Sequence, residues 1–187
     1  MIKVLIFDFF GVIRADGFKN WLFARGYGLT GAFLTATERN DMGEFTVKDF
    51  YQAISDASGV PAEQKQFEME HDTALNREVV DYLATLHGSY KIALLTNSQS
   101  AYLRAELAKH DLEKHFDEIV ISSEVGMIKP QPEIFQHILD KLGATPDECI
   151  FIDDNPRNTA GAESIGIHGI VYTDLPSLKT ELQLLLA

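Results

Sequence analysis

Lys3-Val4-Leu5-Ile6-Phe7-Asp8-Phe9-Phe10-Gly11-Val12-Ile13, close to the start of a 187-residue chain, is the stretch that decides how the rest is read. The apolar run from Val4 to Phe7 has no polar alternation, the pattern of a strand buried on both faces of a parallel sheet. Asp8 follows where that strand should end, and Gly11 lets the backbone turn sharply. A carboxylate at the carboxyl end of a buried strand stands where open α/β sheets bind ligands. Taken alone, Asp8 suits a capping role in a strand-to-loop turn equally well.

Three more apolar runs end in polar punctuation. Ile92-Ala93-Leu94-Leu95 ends at Thr96-Asn97-Ser98, Ile119-Val120-Ile121 leads through a glycine turn to Lys129-Pro130, and Ile150-Phe151-Ile152 ends at Asp153-Asp154-Asn155. Helical patterns separate them. Asn76 is placed to cap a helix whose Val79, Val80, Leu83 and Leu86 share one face, and Asn97 or Ser98 to cap the next. Pro132 opens a helix with Ile134, Phe135, Ile138, Leu139 and Leu142 on the sheet side, and Gly143 stops it. After Asp153-Asp154-Asn155 come a short helix rich in small residues around Ala160-Gly161-Ala162, a strand over 168–172 and a leucine-rich helix from Pro176. Alternating strands and helices imply a parallel sheet with right-handed crossovers.

Between Ile13 and Asn76 the periodicity is helical only. Phe18, Trp21, Leu22 and Arg25 have helical spacing, Thr30 could cap a second helix, Thr46 a third, and Pro61 opens a fourth reaching about Asp72. The division expected is therefore an α/β core over 1–13 and 76–187, with a helical insertion over 14–75.

Composition narrows the function. With 45% hydrophobic and 24% charged residues the chain has the balance of a soluble globular protein. A net charge of −12 argues against non-specific nucleic-acid binding, and it requires that any anionic substrate be drawn by local positive groups. No apolar run is long enough to cross a bilayer, and no cleavable signal pattern precedes the first strand. The lone cysteine, Cys149, opens a buried-strand pattern and has no internal partner, which fits a buried thiol in a reducing cytoplasm.

The order of the four punctuations (Asp, Thr, Lys, then an Asp pair) resembles the four motifs of the haloacid dehalogenase-like superfamily, and the likeness covers nearly the whole chain. It implies a Rossmann-like parallel sheet of order 5-4-1-2-3, which puts the topological switch point between Asp8 and Asp153-Asp154. It also implies a small helical cap of the kind found among phosphatases of sugar phosphates and other small metabolites, a likeness the Gly43-Glu44-Phe45-Thr46 turn shares. Arg14, Arg39 and aromatics such as Phe18, Trp21 and Phe45 could then line the substrate's path, or simply be cap surface and cap core. Asp8 would be a nucleophile that forms an aspartyl-phosphate. Thr96, with the backbone N–H groups of Asn97 and Ser98, would bind phosphoryl oxygens, and Lys129 would temper their charge. Mg²⁺ would sit on Asp8, Asp153 and the carbonyl of Phe10, with Asp154 acting through a bound water. A cap cluster on the following helix is the plainer account of Asp153-Asp154-Asn155.

The sequence departs from that pattern in one place. Phosphatases of the family usually carry a second Asp two residues after the nucleophile, as general acid and base, and Phe10 stands there. Loss of such a group costs roughly 10²–10⁴-fold in rate unless something replaces it. A metal-bound water, Asp16, Asp41 or Glu44 could do so, and sequence does not choose between them. An aromatic residue there also resembles the family's dehalogenases, which use no metal; the intact Asp153-Asp154 pair speaks against that chemistry. A catalytically weak binding or regulatory protein is the other reading left open. A phosphatase screen with and without Mg²⁺ separates the three.

Overall fold

A computed structural model describes residues 1–71 and 74–186. The elements run β1 (Val4–Phe7), α1 (Gly17–Ala24), α2 (Gly31–Asp41), α3 (Val47–Ser58), α4 (Ala62–His71), α5 (Arg77–Leu86), β2 (Lys91–Thr96), α6 (Ser100–Lys109), β3 (Glu118–Ile121), α7 (Ser122–Val125), α8 (Pro132–Leu142), β4 (Cys149–Asp153), α9 (Pro156–Glu163), β5 (His168–Val171) and α10 (Leu175–Leu186). The five strands are parallel in the order β3-β2-β1-β4-β5, so β1 is central and the chain crosses over it between β3 and β4.

Strand β1 shows why its unbroken apolar run was needed. Its side chains alternate, so Leu5 and Phe7 join the core beneath α5, α6 and α10 while Val4 and Ile6 join the one beneath α8 and α9. All four are essentially inaccessible, and each such residue contributes roughly 1.5–3 kcal/mol by burial.

Helices α1 to α4 form the cap insertion and have a small core of their own, built on Trp21, Leu22, Phe33, Phe50 and Ile54. Asp16 caps α1 through Lys19 N at 2.9 Å, and Thr46 with Asp49 makes a reciprocal capping box on α3. The chain enters and leaves this insertion side by side. Arg14 pairs antiparallel with Leu75, Ala15 N donates to Ala74 O at 3.0 Å, and Asn76 N donates to Ile13 O at 2.8 Å.

Some local readings needed correction. Neither Asn97 nor Ser98 caps α6, which starts at Ser100 after Gln99, because the Asn97 side chain and the Ser98 N–H bind other segments. The four-residue helix α7 is too short to leave a periodic signal. The expected end of α4 at Asp72 lies outside the described residues. Cys149 is free and fully buried, its thiol pushed up to about 12 by burial.

Candidate active site

The sheet register builds the site. Phe7 lies opposite Ile152 and Asp8 N donates to Ile152 O at 2.9 Å, so the next residues along, Asp8 and Asp153, leave adjacent strands at the same level. The Lys129 ammonium sits between them, 2.8 Å from Asp8 Oδ1 and 2.7 Å from Asp153 Oδ2. Asp8, Asp153 and Lys129 are all buried. Burial alone would lower the Lys129 pKa, but the charges of Asp153 and Asp8 outweigh it and keep the ammonium protonated. Burial, then the like charge of Asp153, push the Asp8 carboxyl well above the usual range.

Several neighbours fix this arrangement, and sequence reasoning did not single out Asn158 or Lys19 among them. Asn158, in the first turn of α9, donates to both oxygens of Asp153 at 3.1 and 2.9 Å, and Asn155 N donates to Asp153 Oδ1 at 2.8 Å. Its five-residue spacing from Asp153 was the available signal. Asn97 clamps the Lys129 backbone on both sides, accepting from its N–H at 2.8 Å and donating to its carbonyl at 3.0 Å. Lys19 of α1 reaches across from the cap to Asp154 Oδ2 at 2.6 Å. Nothing in the sequence links those two, since 135 positions separate them.

Two glycines supply the space. A Cβ on Gly11 would lie 2.4–2.6 Å from the Asp154 carboxylate, at a backbone φ of +86° that suits glycine. A Cβ on Gly161 would lie 2.5 Å from the Pro130 carbonyl, so α9 can rest against the loop that carries Lys129.

Thr96 ends β2 with its hydroxyl fully buried and without a hydrogen-bond partner among the described residues. An orphaned buried hydroxyl is costly unless a ligand satisfies it. Ser98 differs from expectation, since its backbone N–H donates to Ser122 Oγ at 2.9 Å. The Phe10 ring packs edge-on to Phe9 and stacks 6.2 Å from Tyr102.

A cavity of about 360 Å³ opens between the strand ends and the cap. Asp8, Phe10, Lys129 and Asp154 line it from below, and Asp16, Phe18, Lys19 and Asp41 from the cap. Arg14 does not reach it: the guanidinium is buried, 2.6 Å from Glu106 Oε2 and 3.0 Å from the Tyr102 hydroxyl. Arg39 pairs with Glu44 at 2.8 Å on the surface and covers the Phe45 ring, while Trp21 belongs to the cap core.

The donor set suits a hard divalent cation. Oxygens of Asp8, Asp153 and Asp154 lie within 4.8 Å of one another, and carboxylates together with water and phosphate oxygens are what Mg²⁺ takes. A cation bound there would relieve the burial and like charge that push the Asp8 carboxyl up.

Comparison with known proteins agrees with this geometry. The sequence profile of haloacid dehalogenase-like hydrolases matches residues 2–166. Phosphoserine phosphatase from Thermus thermophilus is 30% identical over 135 residues, covering 68% of this chain and 54% of that protein. The chain spans about half the length, or less, of the curated relatives it matches. A HAD-like family hydrolase from Porphyromonas gingivalis superposes with a TM-score of 0.75 at 23% identity, covering 98% of both chains. A HAD family enzyme from Bacteroides thetaiotaomicron, in complex with magnesium and inorganic phosphate, superposes with a TM-score of 0.73 at 26% identity, covering 95% of this chain and 99% of the other. With the profile running through all four strand-end motifs, the chain belongs to the haloacid dehalogenase-like hydrolases.

Proposed function

We propose that the protein is a Mg²⁺-dependent phosphatase of small phosphate monoesters, working through an aspartyl-phosphate on Asp8. The observation that carries this reading is the Lys129 ammonium held between Asp8 and Asp153, beside the unsatisfied hydroxyl of Thr96. Asp8 attacks phosphorus, and the leaving oxygen departs on the opposite side. The Thr96 hydroxyl donates to a phosphoryl oxygen, and Lys129 offsets the charge of the incoming group. With the Ser98 N–H taken by Ser122, phosphate binding falls chiefly to Thr96, Lys129 and the Asn97 backbone. Asp8, Asp153 and the Phe10 carbonyl hold Mg²⁺, with Asp154 acting through a bound water. Bound there, the metal would supply Lewis-acid stabilisation of phosphate charge. Residues 14–75 serve as the cap that closes over residues 1–13 and 76–187, excluding water from the intermediate.

The cavity charge favours a neutral, hydroxyl-rich leaving group such as a sugar. The cap offers Asp16, Glu38 and Asp41 to the cavity, and its Lys19 is already paired with Asp154. On the cap side a second anionic group on the substrate would meet like charge. Gln99 lines the same cavity with its Oε1 buried and unpartnered among the described residues, an acceptor that a substrate hydroxyl would satisfy. The free, buried Cys149 fits a reducing cytoplasm, and the acidic surface fits a protein without nucleic-acid or membrane partners. No helix among the described residues is long and apolar enough to cross a membrane.

The test is phosphate release from a panel of sugar phosphates, phosphoserine, phosphoglycolate and pyrophosphate, with Mg²⁺ and with chelator. Turnover that needs both Mg²⁺ and Asp8, and favours the sugar phosphates, is expected. Release that survives Asp8→Asn, or none from any ester, would overturn the reading.

A further inference from the structure

We infer that Asp41, at the end of α2, is the general acid and base of this phosphoryl transfer, filling the role for which Phe10 has no proton. The inference rests on the phosphatase reading above. The need is chemical: an alkoxide leaves poorly unless protonated, and water attacks poorly unless deprotonated.

Besides the strand-end cluster, Asp16, Glu38 and Asp41 bring carboxyl groups to the cavity, and they differ in what holds them. Glu38 is exposed to water, with nothing to fix it against a ligand. Asp16 is also pushed up by burial, but its carboxylate is already engaged as the cap of α1, accepting from Lys19 N at 2.9 Å. Glu44 does not line the cavity and is paired with Arg39. The Asp41 carboxyl is buried, and among the described residues it accepts only a long hydrogen bond from Asn40 Nδ2, at 3.5 Å. Its oxygens are free to serve a ligand.

Asp41 is also fixed relative to the phosphate site, although it belongs to the cap. Its backbone carbonyl accepts from Ser122 Oγ at 2.6 Å, and that same oxygen accepts from Ser98 N, two residues beyond Thr96. Directly after it, the chain presses on α7 so closely that a Cβ on Gly43 would lie 3.0 Å from the Ser123 carbonyl. A hydroxyl shared between cap and core thus ties the last turn of α2 to the end of β2. Burial then pushes the carboxyl up to about 7, with Asn40 and Lys129 opposing and Asp16 and Glu38 reinforcing the rise. A group titrating near neutrality can give a proton in one half-reaction and take one in the next.

In the first half-reaction an Asp8 oxygen bonds to phosphorus and the ester P–O bond breaks. The Asp41 proton passes to the departing oxygen, giving the alcohol. In the second, water bonds to phosphorus and gives a proton to the Asp41 carboxylate. The Asp8–phosphorus bond breaks, releasing inorganic phosphate and restoring both residues.

The test compares kcat/KM of the full chain with Mg²⁺ on p-nitrophenyl phosphate, whose leaving group needs no proton, and on the best sugar phosphate of the panel. Asp41→Asn should lower the sugar-phosphate value roughly 10²–10⁴-fold and the aryl value by no more than about 3-fold. In the wild type, kcat/KM for the sugar phosphate should decline above about pH 7 while the aryl value does not, a readout that needs no variant to fold. Asp16→Asn, whose amide oxygen can still cap α1, should change both esters by the same factor. Equal losses on both esters in Asp41→Asn, or no loss, together with matching pH profiles, would overturn the assignment while phosphatase activity stood. If the wild type hydrolyses neither ester, the phosphatase reading fails and Asp41's role falls with it.

Discussion

Replacing Gly161 by alanine sets two opposing effects against each other. On an open helical surface the change would stabilise by about 1 kcal/mol, because alanine is the better helix former. Here the new methyl would lie 2.5 Å from the Pro130 carbonyl oxygen, 2.8 Å from Pro130 Cβ and 3.1 Å from the Phe135 ring. The nearest of these is backbone, and it cannot yield freely because Asn97 holds the adjoining Lys129 by both its N–H and its carbonyl. Overpacking of this kind costs about 1–3 kcal/mol, so the middle of that range leaves a net loss of about 1 kcal/mol. For a domain of this size that lowers Tm by roughly 2–4 °C. Activity should fall further than stability. Any movement of Pro130 carries Lys129 away from its contacts of 2.8 Å with Asp8 and 2.7 Å with Asp153. A 10-fold drop in kcat/KM corresponds to about 1.4 kcal/mol of lost transition-state stabilisation, which we take as the minimum. Thermal unfolding followed by circular dichroism and steady-state phosphate release are the two assays. A variant with unchanged or raised Tm and wild-type kcat/KM would show that the loop is not constrained by α9, and the reasoning would fail.

Three further outcomes follow from the same geometry. Asp41 has a folded-state pKa of about 7, above its unfolded value, so the folded state binds the extra proton and stability declines as pH rises between the two. Asp41→Asn should therefore flatten the pH–stability profile between about pH 4 and 7 and raise Tm at pH 8, the opposite of its effect on turnover; parallel profiles would contradict the burial argument. Asp153→Asn should weaken Mg²⁺ binding at least several-fold by titration calorimetry, and unchanged affinity would move the metal elsewhere. Phe10→Asp, made in the Asp41→Asn background, should restore part of the sugar-phosphate turnover, with the gain limited by lost packing against Phe9 and Tyr102. No restoration in a folded double variant would mean that the place beside the nucleophile cannot deliver a proton in this protein.

Strand-end residues were legible because they obey a local rule: an apolar run long enough to be a buried strand, then a polar residue where the run stops. Asp8, Thr96 and Asp153 each follow that rule, and the helical spacing over 14–71 gave the cap. Residues whose job is to join distant segments were not legible. Lys19 meets Asp154 and Ser122 meets Asp41 only because two crossovers and four helices bring them together, and no period in the chain records that. Asn97 misled for a related reason. Asparagine after a strand reads as a helix cap, and here its amide is engaged by Lys129, so α6 begins later without it. The choice among Asp16, Asp41 and Glu44 likewise needed burial and partners that only the folded chain supplies.

The pairing of Arg14 with Leu75 has a consequence for how such a protein can change over time. Because the two crossing segments are hydrogen-bonded to each other, the insertion enters and leaves the core at one place, and its other ties to the core, such as Lys19 to Asp154 and Asp41 to Ser122, are side contacts. Loop-closure entropy grows slowly with length, about 0.6 kcal/mol per doubling, so an insertion anchored this way can be lengthened, shortened or exchanged at little cost to the sheet. Asp8 and the Lys129 beside it would stay in register throughout. Recombination at the Arg14–Leu75 pair is therefore where a different insertion would be easiest to graft onto this scaffold, provided it carries a carboxyl in the place of Asp41.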